Sequence, residues 1–148
     1  MKPKYTFVRY RISRRFSVPG VIAIAVAMAL TAKPVRAASG SWNVDAAGGW
    51  GTAGNWNPAA VPGTAVGDVI NFTNNIGAAR TITLDGARTL GDLNIGDSAT
   101  GFFGFTLNTG SGGTLVMDVA SGAASIDFLN AGTNGAVNTI GAGITLND

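Results

Sequence analysis

From Val66 onward the chain is written as short apolar and polar alternations separated by glycine-rich turns. Val66 to Phe72 reads as one strand, and Thr81-Ile82-Thr83-Leu84 reads as another. Similar cores recur at Leu93-Asn94-Ile95, Phe105-Thr106-Leu107, Leu115-Val116-Met117-Asp118, Ile126-Asp127-Phe128 and Ile144-Thr145-Leu146, with a weaker one at Val137 to Ile140. Alternation with period two is the mark of a strand with one buried face. The second apolar residues of successive cores, Leu84, Ile95, Leu107, Met117 and Phe128, are spaced 11, 12, 10 and 11 positions apart. Taken in alternate pairs, this predicts a coil that repeats every 21 to 23 residues.

A β-sandwich also places strands at intervals of about 8 to 12 residues, so spacing by itself leaves both folds open. Strands of three to five residues and 21 glycines in the 111 residues after Ala37 favour a stacked β-solenoid. Glycine accepts the positive-φ corners that a tight coil demands. No segment after residue 37 carries a convincing helical pattern. The predicted fold is therefore all-β, with a tryptophan-containing segment at 38–65 as its N-terminal cap and the solenoid over 66–148.

The first 37 residues differ in kind. Lys2, Lys4, Arg9, Arg11, Arg14 and Arg15 precede an apolar stretch of 13 residues, Val18 to Leu30, and the polar segment that follows ends in Val35-Arg36-Ala37. This is the layout of a secretory signal peptide, cut after Ala37, with a helix expected in its apolar part. A permanent membrane helix needs about 20 apolar residues, more than this stretch offers. In Arg14-Arg15-Phe16 the phenylalanine follows directly where a twin-arginine signal has one residue between, so the segment predicts ordinary unfolded export. The implied partners are signal peptidase and the general export machinery.

Charge changes sign at the same boundary. Eight of the ten basic residues lie at or before Arg36, and the remainder sets Arg80 and Arg88 against eight aspartates, a net charge of −6. That remainder lacks the clustered Lys and Arg of a nucleic-acid footprint, so nucleic acid is not an expected partner. The chain has neither cysteine nor histidine, which excludes disulfides, thiolate nucleophiles, Ser-His-Asp triads and Cys- or His-ligated zinc within it. Arg80 and Arg88 are expected beside the Ile82/Leu84 strand, at solvent, screening nearby aspartates.

Carboxylate chemistry is what is left to weigh. Asp85, Asp92, Asp97, Asp118 and Asp127 are the candidates, and the predicted coil repeat singles out Asp97 and Asp118, 21 positions apart, as a pair one turn apart. Glycosidic cleavage needs two carboxylates about 5 to 9.5 Å apart across the sugar. Asp85-Gly86, Asp97-Ser98 and Asp118 at a strand end also occupy ordinary turn-forming positions. No EF-hand loop or Gly-Gly-x-Gly-x-Asp repeat accompanies them, so calcium is not assigned. No catalytic, cofactor or metal residue is assigned, and a non-enzymatic role is expected. Trp42, Trp50 and Trp56 read either as a sugar platform or, preferentially, as bulk that closes one end of a small domain. Phe102, Phe103 and Phe105 read as core. Asn71, Asn94, Asn108, Asn130 and Asn138 recur near the strand cores, either as a stacked hydrogen-bonded ladder or as scattered surface residues.

Between about Ser41 and Leu107 the text resembles the N-terminal region of bacterial autotransporter-associated β-strand repeat proteins. The resemblance is carried by Trp42, by Trp50-Gly51 through Gly54-Asn55-Trp56, and by the Val61-Pro62-Gly63 step. It continues through Gly67-Asp68-Val69-Ile70-Asn71-Phe72, Thr81 to Gly86 and Thr89 to Ile95. It implies a right-handed parallel β-helical passenger, displayed on or released from the cell, with an adhesive or matrix role and no shared active site. Gly112 to Leu115 is not followed by the repeat text typical of that group, and no barrel or sorting segment follows Asp148. The expectation is the leading fragment of a longer passenger; as a complete product it would be periplasmic or released. The functional expectation is an exported structural or adhesin-like segment that touches surface polysaccharide or other cells. The alternative is a secreted carbohydrate-binding or carbohydrate-active β-helical domain.

Overall fold

Twelve short strands stack into a parallel β-solenoid in the computed structural model, which describes residues 39–98, 103–129 and 135–147. The expected signal peptide and its helix lie outside the described residues, as do Phe102 and Asn130. The strands are β1 (Gly40–Trp42), β2 (Gly48–Gly49), β3 (Trp56–Asn57), β4 (Val69–Phe72), β5 (Arg80–Thr83) and β6 (Arg88–Leu90). They continue as β7 (Asp92–Ile95), β8 (Phe105–Asn108), β9 (Thr114–Met117), β10 (Ser125–Phe128), β11 (Thr139–Ile140) and β12 (Gly143–Leu146). No helix among the described residues is long and apolar enough to cross a membrane.

Three sheets form the walls, in the orders β10-β7-β4-β1-β3, β11-β8-β5-β2 and β12-β9-β6. Every pairing between rungs is parallel; the exception is β3, which returns antiparallel along β1 with Trp42 opposite Trp56. A rung therefore takes three strands, where the spacing of the apolar cores predicts two. Val69 stacks on Asp92, 23 positions on, and Gly48 stacks on Ile82, 34 positions on. The reason for the miscount is β6, whose single core residue Leu90 leaves little alternation to read. Turns of unequal length then even out the spacing of the other cores. The true vertical partners are Ile82 on Leu107, Ile95 on Phe128 and Leu90 on Met117.

Alternation decides which side chains face inward. Ile70, Phe72, Leu93 and Ile95 of the first sheet, Ile82, Phe105 and Leu107 of the second, and Leu90, Leu115 and Met117 of the third form one continuous core. A row of apolar side chains of this size gains about 1.5–3 kcal/mol per fully buried residue, which offsets the entropy of ordering so many turns. The tryptophans occupy the first rung. Phe72 sits among them, with ring centroids 5.8 Å from Trp42, 5.3 Å from Trp50, 5.4 Å from Trp56 and 5.7 Å from Phe105. Trp50 donates its indole N–H to the Pro62 carbonyl at 2.9 Å, and Trp56 donates to the Trp50 carbonyl at 2.7 Å. The last rung keeps the same inward pattern but packs on one side only, so Phe128, Ile144 and Leu146 are exposed.

Asp68 fixes the corner that leads into β4. It is fully buried, and its Oδ2 accepts N–H bonds from Gly63 at 2.8 Å, Thr64 at 2.9 Å and Ala65 at 3.3 Å. Three convergent amides make a ready anion nest, with Gly63 at φ 81° supplying the left-handed step. Asp68→Asn is expected to lower unfolding free energy by about 1–3 kcal/mol, because a charge-assisted acceptor is weakened in a buried place. Urea unfolding followed by tryptophan fluorescence checks this; an unchanged midpoint would show that the corner does not depend on the carboxylate.

Candidate functional site

The side chains that alternate outward from the first sheet form two polar columns. Ser41, Asn71, Asn94 and Asp127 share one register across β1, β4, β7 and β10. Asn94 donates from Nδ2 to the Asn71 Oδ1 at 2.9 Å, and Asn71 donates to the Ser41 Oγ at 3.4 Å. The asparagine ladder is thus present for Asn71 and Asn94. Asn108 lies exposed on the second sheet, and Asn138 accepts the Phe105 N–H at 2.9 Å, so neither joins it.

In the neighbouring column Ser125 stands over Asp92. The Ser125 hydroxyl lies 2.9 Å from the Asp92 Oδ1 and 3.2 Å from the Asp127 Oδ2. Its one proton serves either carboxylate. Asp92 and Asp127 therefore approach a common point from the same flat face, where a glycosidase sets its carboxylates on opposite sides of the scissile bond. What this face offers is a fixed array of amide and carboxylate groups able to receive hydrogen bonds from a ligand lying along the coil.

The other aspartates are dispersed. Asp97 is buried beyond β7, at the end of a first-sheet strand, whereas Asp118 follows β9 in the third sheet. The expectation that they sit one turn apart is corrected by the three-strand rung. Asp118 accepts a bond from the Asn147 side chain at 3.2 Å. Among the described residues, no group of three or more Asp, Glu, His or Cys is placed to hold a metal ion. The tryptophans are at most 2% exposed, so their indole faces serve the core and give a ligand no platform. Phe105 is core as expected, whereas Phe103 is exposed, which corrects its assignment to the core: it precedes β8, outside the strand that points Phe105 inward.

Both arginines of the solenoid have definite partners, which the sequence does not name. Arg80 joins Asp45 with an Nη2 to Oδ1 distance of 2.8 Å, tying the first rung to the second. Arg88 pairs with Asp85, which also accepts the Gly51 N–H at 2.9 Å. The Arg80 hydrogen bond, aided by the Gly77 N–H, holds the Asp45 carboxyl below its ordinary pKa. For Asp85, burial pushes upward, but the bonds from Arg88 and from the backbone outweigh it and leave the value lowered.

A carboxylate whose folded pKa lies below its unfolded value stabilises the fold above the unfolded value, near 3.9, and that contribution is lost as pH falls through the folded pKa. Unfolding midpoints are accordingly expected to be flat from neutral pH to about 5 and to drop below about 4. The Asp45→Asn/Asp85→Asn double variant should show a shallower drop over the same range in urea titrations. An equally steep drop would assign the acid sensitivity to other groups.

The chain matches no protein-family model, no curated protein and no solved structure. Its site is therefore read from its own geometry. Sequence reasoning missed the Asp92–Ser125–Asp127 group because Asp92 and Ser125 are 33 positions apart, beyond the repeat inferred from apolar spacing. It also missed the Asp68 corner, although Pro62-Gly63 immediately upstream is a turn signal.

Proposed function

We propose that this chain is an exported, non-catalytic structural or adhesive segment of autotransporter-like type, whose first sheet is its contact face. The observation that carries the reading is the Ser41–Asn71–Asn94–Asp127 column, which repeats one polar position over four parallel strands. A flat, repeating polar wall suits extended, multivalent contact with a surface polymer or another cell, each contact being weak and their sum appreciable. The basic, apolar and small-residue leader supports export through signal peptidase, to the periplasm, the cell surface or the medium.

A carbohydrate-binding or carbohydrate-active domain is the second reading. It is favoured by the Asp92, Ser125 and Asp127 acceptors gathered on that same face. The two separate in one set of measurements. The full chain, expressed in a Gram-negative host, is expected to lose residues 1–37, and the processed protein to adhere to cells or polysaccharide films. Asn94→Leu/Asp127→Leu should abolish that adhesion while circular dichroism is unchanged. Release of reducing sugar ends that ceases in Asp92→Asn would instead establish the second reading. Absence of adhesion to every surface would remove the adhesive role.

A further inference from the structure

The outward face of the second sheet is built differently from that of the first. Thr81, Thr106 and Thr139 stack in one register across β5, β8 and β11, and Thr83 stacks on Asn108 in the adjacent outward column. The intervening Ile82, Phe105 and Leu107 are buried, so all five polar side chains point away from the core; four are exposed and Thr106 is half-buried. None of the five forms a side-chain hydrogen bond within the described residues. On the first sheet, by contrast, the polar groups bond to one another. No outward position of β5, β8 or β11 is charged; the Arg80–Asp45 and Arg88–Asp85 pairs lie beyond the two ends of the β5 array.

We infer that this face binds ice. Strand stacking sets the Thr81, Thr106 and Thr139 hydroxyls about 4.8 Å apart across the sheet, and the single Thr-x-Thr step, Thr81 to Thr83 in β5, sets two about 6.6 Å apart along the strand. The first of these lengths is near the oxygen repeat along one axis of a prism face of ice, and the second falls short of the repeat along the other. β-branched threonine is stiff at χ1, so each hydroxyl and methyl is held in place before contact. The hydroxyl can replace a lattice water while the methyl sits in the cage between waters, and a solenoid wall supplies the rigidity that a lattice match demands. Charged groups would order water in competing orientations, and none stands at an outward position within the three strands; the bordering Asp45 and Asp85 carboxylates are each neutralised by an arginine. A saccharide site normally adds aromatic lining to its polar anchors, and no aromatic residue stands at an outward position of β5, β8 or β11. The inference does not rest on the adhesive reading, because it uses a different wall of the coil.

The test is ice-affinity partitioning of the fluorescently labelled full chain during slow freezing, with thermal hysteresis measured alongside. The wild type is expected to enter the growing ice and to shape its crystals. Thr106→Tyr, which raises a bulky ring in the middle of the array, and Thr81→Lys, which adds a charge at its edge, should each lose both effects. Thr145→Tyr, on the third sheet, should retain them, with circular dichroism confirming the fold of all four proteins. Exclusion of the folded wild type from ice would overturn the inference. So would undiminished partitioning of both second-sheet variants, or capture by crystalline chitin or cellulose with none by ice. Any of these results leaves adhesion by the first sheet as it stands.

Discussion

Phe72→Ala is expected to destabilise the solenoid by about 3–5 kcal/mol, the range for emptying a large aromatic site in a close-packed core. The phenyl ring is fully buried and lies within 5.8 Å of three tryptophan ring centroids and of Phe105. Its removal opens a cavity between the first rung and those above it. The neighbouring rings cannot simply collapse into the gap, because Trp50 and Trp56 are held by their indole hydrogen bonds to Pro62 and Trp50 carbonyls. Tryptophan emission should shift to the red and the urea midpoint should fall sharply. Phe72→Leu, which retains much of the volume, should recover a large part of the loss. A midpoint within error of the wild type for Phe72→Ala would mean that the first rung is not coupled to the rest of the core.

Gly110→Ala is expected to cost about 2–4 kcal/mol, the sum of left-handed backbone strain and overpacking. Gly110 has φ 55°, and a Cβ there would lie 2.3 Å from the Leu84 carbonyl oxygen and 2.5 Å from the Thr83 Cγ2. The Leu84 backbone is itself fixed by its N–H bond to the Asn108 carbonyl at 2.8 Å. The collision therefore forces the turn after β8 off the strand below. Hydrogen exchange should report the damage first in β5 and β8, with the tryptophan cap opening later. Equal stability of Gly110→Ala and wild type in thermal unfolding would show that this corner relaxes without cost.

The alternation of single strands is the part of the fold that the text states most directly. Ile70 and Phe72, Leu93 and Ile95, and Leu115 and Met117 all occupy the inward positions that period-two reading gives them. The solenoid itself follows from short strands and frequent glycine, and the preference for tryptophans as closing bulk follows from their placement at the start of the domain. The count of strands in a rung does not follow, since β6 offers only Leu90 to the core and β2 is a pair of glycines. A strand without alternation leaves no period-two signal in the sequence.

The candidate site fared in the same way. Asn71 and Asn94 are recognisable as ladder candidates because each lies between two core residues of its strand. That they touch, and that Asn108 and Asn138 do not join them, depends on which rungs meet. A 21-residue repeat pairs Asp97 with Asp118, but the turns do not keep that length, whereas Asp92, Ser125 and Asp127 meet through a separation of 33 positions between β7 and β10. The partners of Arg80 and Arg88 are set in the same manner, one across rungs and one within a corner.

What the sequence determined by itself is therefore local: which residues face the core, where the chain turns, the sign of its charge after residue 37, and the chemistries its composition excludes. Those properties depend on near neighbours along the chain and on side-chain type. Only the tertiary structure decided the three-sheet cross-section, the polar ladder on one wall and the hydroxyl array on another. Each arises from vertical register between rungs, and register is fixed by turn lengths and by packing of the shared core, quantities that no single strand contains.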